Sequence, residues 1–324
     1  MNNEYNITKR RVEYHSNWDK DGIWTSNIIA LFEERLVEHK YSQLFVPIEL
    51  DISSAVDTLY QNPKFNRLFS VLIDFYDELP ARPDVAFDLC WRAFEIEMNL
   101  YKNHVWNKKG DVTTRELIAR ICDEAIFPLY RCENSIKDAI DMLFENVSIK
   151  SLSFCITRAV AVAELTVQGQ NGLIIERLKS ALGDNLWESI KKKYFPSDGT
   201  ISPEDKRKLC FLLKKILIGE TIIMGDKQYT LDFSHRLEFL IGGILYTSRC
   251  ERFHGDYFSP FKSDKATLRT FYDFYYQLLT TYTLFWCLLY KLKIHNGIDV
   301  FFTPSNIKLM IDENLKRLKI LPNT

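Results

Sequence analysis

Glycine is scarce in this chain. Its 324 residues include only 12 glycines, about half the share of roughly 7% found in average proteins. With only 10 prolines beside them, the shortage argues against a turn-rich all-β fold and against a glycine-rich phosphate loop. An excess of either charge is missing too: 42 Lys and Arg stand against 43 Asp and Glu, a net charge of −1. That balance excludes a surface coated in basic charge for bulk nucleic-acid binding, but leaves room for a local basic site. The seven cysteines are odd in number, scattered and never spaced Cys-x-x-Cys. Neither a disulfide framework nor a zinc ribbon is expected, and reduced thiols in a cytoplasm are the simplest account. The opening Met-Asn-Asn-Glu-Tyr-Asn has no signal-peptide shape. The longest uncharged run, Phe274 to Tyr290, includes Gln277, Thr280, Thr281 and Thr283. It falls short of the roughly 20 mainly apolar residues of a membrane span, and reads as a buried core or subunit-contact helix.

What is present is helical. Apolar residues make up 46% and aromatics 14%, enough for a sizeable core. Helices are predicted over 24–40 and 52–79, and from Asp84 with a stripe of Phe87, Cys90, Trp91, Phe94, Met98 and Tyr101. Thr113 with Glu116 reads as a capping box opening the next helix. Further helices are expected at 134–145, 148–165, 172–182 and 184–194, before a loop at 196–199. Ser202-Pro203-Glu204-Asp205 has a cap, a first-turn proline and first-turn acids, and the helix it opens stops at Gly219. A small hairpin around Gly225-Asp226 is predicted within 221–230. Helices from Asp232, over 265–293 and from Thr303-Pro304 complete an all-α fold. Residues 1–80 read as an N-terminal helical region without evident chemistry, and 81–324 as the main helical domain, with a loop boundary near 196–201.

One segment carries chemistry. Tyr246 to Asp256 holds Arg249, Arg252, His254 and the acids Glu251 and Asp256, where the Asp232 helix runs out toward Gly255. A histidine with a pKa near 6.5 both takes and gives a proton at neutral pH. A neighbouring guanidinium holds a phosphate and steadies charge developing on it. Five residues along a helix turn about 500°, so Arg249 and His254 diverge on a continued helix. They converge only where the helix ends between them, or where each meets its counterpart from a second chain. The bland alternative is a helix end with a cationic cap and a satisfied histidine. Arg252, Lys262, Lys265 and Arg269 form either a local phosphate-binding patch or a solvated loop and helix start.

Arg249-x4-His254 followed by Gly255 resembles the Arg-x4–6-His signature of the HEPN superfamily, especially its Apea-like branch. Arg10 and His15 fit the same spacing, but no apolar helix precedes them. The helix carrying Phe87 and Trp91-Arg92-Ala93-Phe94-Glu95 is similar to the first helix of Apea-like domains, so the resemblance spans roughly 81–295. Where such sequences commonly place a polar residue after the arginine, this chain has Cys250; Glu251 or Asp256 would then supply the polar support. The resemblance implies a multi-helix bundle of HEPN type and a homodimer with two Arg–His pairs facing across one composite cleft. It implies an endoribonuclease that cleaves an RNA substrate by 2′-hydroxyl attack without metal or cofactor, in a microbial defence or toxin system. A regulatory protein or antitoxin is an expected partner, and a non-catalytic HEPN-like scaffold is the competing expectation.

Overall fold

The computed structural model describes residues 27–61, 63–108, 110–164, 172–195, 201–253, 261, 267–296 and 301–322. Among them are thirteen helices and one two-stranded hairpin. The fold is all-α. The helices are α1 (Asn27–Glu38), α2 (Ile52–Gln61), α3 (Pro63–Asp77) and α4 (Pro83–His104). Next, α5 runs through Thr114–Arg120, a wider π-turn at Ile121–Ile126, and Phe127–Cys132. It is followed by α6 (Asn134–Glu145), α7 (Ile149–Glu164), α8 (Gly172–Leu182), α9 (Asp184–Tyr194) and α10 (Pro203–Leu217). After the hairpin, α11 runs through Phe233–Glu238, a second π-turn at Phe239–Leu245, and Tyr246–Phe253. The last two are α12 (Leu268–Asn296) and α13 (Pro304–Leu318).

Local chemistry sets most of these boundaries. Thr113 and Glu116 close the predicted capping box, Ser202 and Asp232 accept from backbone N–H groups three residues on, and Thr303 pairs reciprocally with Asn306. Beyond α10, Gly219 takes a φ of +86°, a conformation that costs glycine least. The hairpin pairs Ile222–Met224 with Lys227–Tyr229, Met224 facing Lys227 across Gly225-Asp226. Gly225 has a φ of +61°, as the first position of a tight hairpin turn requires. One predicted boundary is corrected. The helix read over 52–79 is two, because Pro63 opens α3. Its ring lacks the N–H that an unbroken ladder needs and disfavours helix at the residue before it.

The uncharged run is the core of the molecule. Residues 270–289 of α12 are buried on every side, packed by α4 along the axis and by α13, α7, α6 and the π-turn of α5. Several of its polar atoms are satisfied internally. Thr280 and Thr283 donate to the carbonyls of Tyr276 and Leu279. The hydroxyls of Tyr272 and Tyr276 donate to the carbonyls of Asn146 and Leu143. The aromatic stripe from Phe271 to Trp286 is therefore core rather than a surface for stacking bases. Among the described residues no helix is long and apolar enough to cross a membrane.

The described residues before 80 share this core. Phe32 stacks on Phe271 at 4.8 Å, and Phe45 and Phe75 pack edge-on against Tyr282. Asn314 of α13 brackets the backbone of Val46, accepting from its N–H and donating to its carbonyl.

Candidate active site

Arg249 lies in the last stretch of α11, Tyr246–Phe253, which is fastened to its surroundings by charge. Arg252 points at α4, where its guanidinium donates to Asp88 through Nε at 3.1 Å and Nη2 at 2.7 Å, and to Asp84 through Nη1 at 3.2 Å. Asp84 is fully buried and accepts a second arginine, Arg82, at 3.0 and 3.1 Å. The face of the Arg252 guanidinium rests on the Phe274 ring at 5.2 Å. Burial works against its charge, but the hydrogen bonds and charges of Asp88 and Asp84 outweigh it and raise its pKa. Burial also raises Asp88, against the pull of Arg252. With its side chain 8% exposed, Arg252 sits in a structural clamp and not on an open phosphate-binding face.

Its neighbours are tied as well. Glu251 pairs with Arg158 of α7 at 2.7 Å. Arg249 reaches Glu95 of α4 at 3.5 Å, its side chain 19% exposed. Asp84, Asp88 and Glu95 are spaced by four and then seven residues along α4, one turn and then two, so one helix face receives both arginines. Cys250 is half-buried. Upstream, Tyr246 packs its ring on Trp91 at 5.7 Å and beneath the Arg177 guanidinium at 4.9 Å.

The π-turn before this stretch explains the glycine pair. A Cβ on Gly243 would come within 2.7 Å of the Phe239 ring and 3.1 Å of Leu178, whereas one on Gly242 would meet only ordinary contacts from 3.9 Å. The close approach is thus internal, to α8. The Gly242 carbonyl accepts from Arg177 Nε at 3.0 Å, and the Gly243 carbonyl from the Cys155 thiol. Arg177 also reaches Thr247 Oγ1.

Of the other residues singled out in the sequence, Arg269 is exposed in the first turn of α12. His254, Gly255, Asp256, Lys262 and Lys265 lie outside the described residues, as do Arg10, His15 and the loop at 196–199. The structure thus brings Arg249, Glu251 and Arg252 together with α4 and α7, each in an ion pair.

Sequence reasoning missed a second charged pair in the core. Glu97 and Lys293, from α4 and α12, are both fully buried. The Glu97 carboxylate oxygens have no hydrogen-bond partner among the described residues, and Lys293 Nζ lies 3.1 Å from the centre of the Phe301 ring. Burial pushes the Glu97 carboxyl up to about 8 and the Lys293 amine down to about 7, each opposed by the other's charge. Only the observation that Glu95 and Glu97 leave α4 on different faces was visible in advance. Comparison with family models, with curated proteins and with solved structures returned no match.

Proposed function

We propose that the protein is a metal-independent endoribonuclease of HEPN type, acting in a microbial defence or toxin system. The observation that supports it is the fastening of the α11 end: Arg252 is clamped to Asp84 and Asp88, and Glu251 to Arg158. Such anchoring holds Arg249 at a partly exposed position five residues before the histidine, as a transition-state clamp requires. In this reading His254 takes the proton of an RNA 2′-hydroxyl. The freed oxygen attacks the adjacent phosphorus, and the bond to the 5′-oxygen breaks. The departing oxygen takes a proton from the partner's His254 across a homodimer cleft, and Arg249 steadies the charge on the phosphoryl oxygens. The products carry 2′,3′-cyclic phosphate and 5′-hydroxyl ends.

A second reading, a non-catalytic helical module that binds or scaffolds a partner, draws on the same ion pairs. Charges engaged by Asp84, Asp88 and Arg158 serve the fold whether or not chemistry follows. Incubating the protein with RNA in EDTA and analysing the product ends separates the two. The nuclease reading expects cleavage by the wild type and a loss of about 100-fold or more in both Arg249→Ala and His254→Ala. Undiminished cleavage by His254→Ala would overturn it, and an inert wild type would favour the scaffold.

A further inference from the structure

The end of α11 lies between helices that carry more positive charge than the fold pairs off. On α4, Arg92 continues the stripe of Asp84 and Asp88 by one turn and precedes Glu95 by three residues. An arginine so placed ordinarily pairs with the acid one turn before or after it. Both are taken here. Asp88 accepts Arg252 on its two oxygens, and Glu95 accepts Arg249 at 3.5 Å. Arg92 is left exposed and without an ion pair among the described residues. The Arg249 charge also acts on Asp88, so its guanidinium lies near both acids that flank Arg92. The two arginines share one patch of surface, where an anion between them would relieve their mutual repulsion.

The other flank of α11 repeats the pattern. Glu251 turns toward α7, where Arg158 neutralises it at 2.7 Å and leaves it 16% exposed. Beside Arg158, the exposed Thr157 accepts from Lys206 of α10 at 3.4 Å, a neutral partner that leaves the ammonium charge in place. The acids next to Lys206 are directed elsewhere: Glu204 to Lys208 at 2.7 Å, and Asp205 to the capping Ser202 hydroxyl at 2.8 Å.

The row Arg92, Arg249, Lys206 therefore crosses α4, the end of α11 and the edge where α10 meets α7, neighbouring helices standing about 8–10 Å apart. Asp84, Asp88, Glu95 and Glu251, the carboxylates along it, each already accept an arginine. Separate cations in a row suit an extended polyanion better than a compact anion.

We propose that Arg92 and Lys206 contact the phosphates of a single RNA strand on either side of Arg249. That the polyanion is RNA rests on the nuclease reading above. Fluorescence anisotropy of the full chain with a single-stranded RNA whose 2′-hydroxyls are methylated reads binding apart from cleavage. Saturable binding that weakens with salt is expected. Arg92→Gln and Lys206→Gln should each weaken it about threefold, and each should reduce the slope of log affinity against log salt by about 0.7, the share of one phosphate contact. The double variant should lose about tenfold. Both side chains reach the surface, so folding is little affected. Arg131→Gln, which removes an exposed charge on α5, should leave affinity and slope unchanged. Absence of saturable binding, affinity and slope unaltered in the double variant, or an equal loss in Arg131→Gln would overturn the proposal. Cleavage of unmethylated RNA is scored separately. A wild type that binds through both residues without cutting sustains this proposal and ends the nuclease reading; one that cuts while both residues are dispensable for binding does the opposite.

Discussion

Two charged clusters on the same helix have opposite characters. At the start of α4, Asp84 is as buried as any residue in the protein, yet two arginines serve it with bidentate or single hydrogen bonds, and Asp88 completes the network. Three turns on, Glu97 is equally buried beside Lys293, and its oxygens have no hydrogen-bond partner among the described residues. In the first cluster hydrogen bonds hold the guanidinium charged. In the second, burial drives both groups toward their neutral forms near pH 7.5. Burial alone does not decide whether a charge survives inside a protein. The supply of directed donors does.

Breaking the first cluster should have the largest effect. Arg252→Met leaves Asp84 and Asp88 without their shared partner, and a loss of about 3–5 kcal/mol is expected by urea denaturation. A loss below about 1 kcal/mol would place this pair with ordinary surface bridges.

Replacing the second cluster should do the reverse. The double variant Glu97→Leu, Lys293→Met removes a buried carboxyl whose oxygens have no hydrogen-bond partner among the described residues, together with its buried counter-charge, so stability should be unchanged or rise by about 1–4 kcal/mol. The pH dependence has a definite shape. Glu97, raised from 4.5 to about 8, contributes most below its unfolded value and loses that contribution as pH rises toward 8. Lys293, lowered from 10.5 to about 7, contributes most above its unfolded value and loses that contribution as pH falls toward 7. Together they make the pair most costly between pH 7 and 8. The advantage of the double variant should therefore peak there and shrink toward pH 5 and pH 10, which urea melts across that range would show. A flat difference would mean that the pair does not titrate in the folded state.

The smallest effect sharpens the contrast from outside. Arg115 and Glu176 approach to 3.5 Å with both side chains well exposed, and Arg115→Ala should change stability by less than about 0.5 kcal/mol in the same assay.

What could be read in advance follows the range of the interactions. Thr113 with Glu116, Ser202 before Pro203, Asp232 and Thr303 announce their helices because a cap and its target lie three residues apart. The hairpin is equally local, since Gly225 supplies its own unusual dihedral. Pro63 was also in plain view, but apolar residues on both sides carry the helical pattern across it. The clamp on Arg252 was not legible: its acceptors lie 164 and 168 residues away, and no spacing rule joins them. The same holds for Glu97 and Lys293. The π-turn at Phe239–Leu245 escaped for another reason. All seven residues are buried, so no polar face marks the helical phase and a widened turn looks like any other.

That widened turn governs more than local packing. A π-turn accommodates one residue beyond the α-helical repeat, so it acts as a phase shifter between the two ends of α11. The same helix can therefore turn one face toward a cleft beside α5 at Glu238 and another toward α4 at Arg252. Deleting a single residue within 239–245 would let the turn close to a regular helix with every downstream side chain still in phase. Inserting one would instead rotate them all by about 100°, carrying Arg249 away from Glu95 and Arg252 away from its aspartates. A chain of this kind tolerates the loss of a residue in this turn far better than the gain of one.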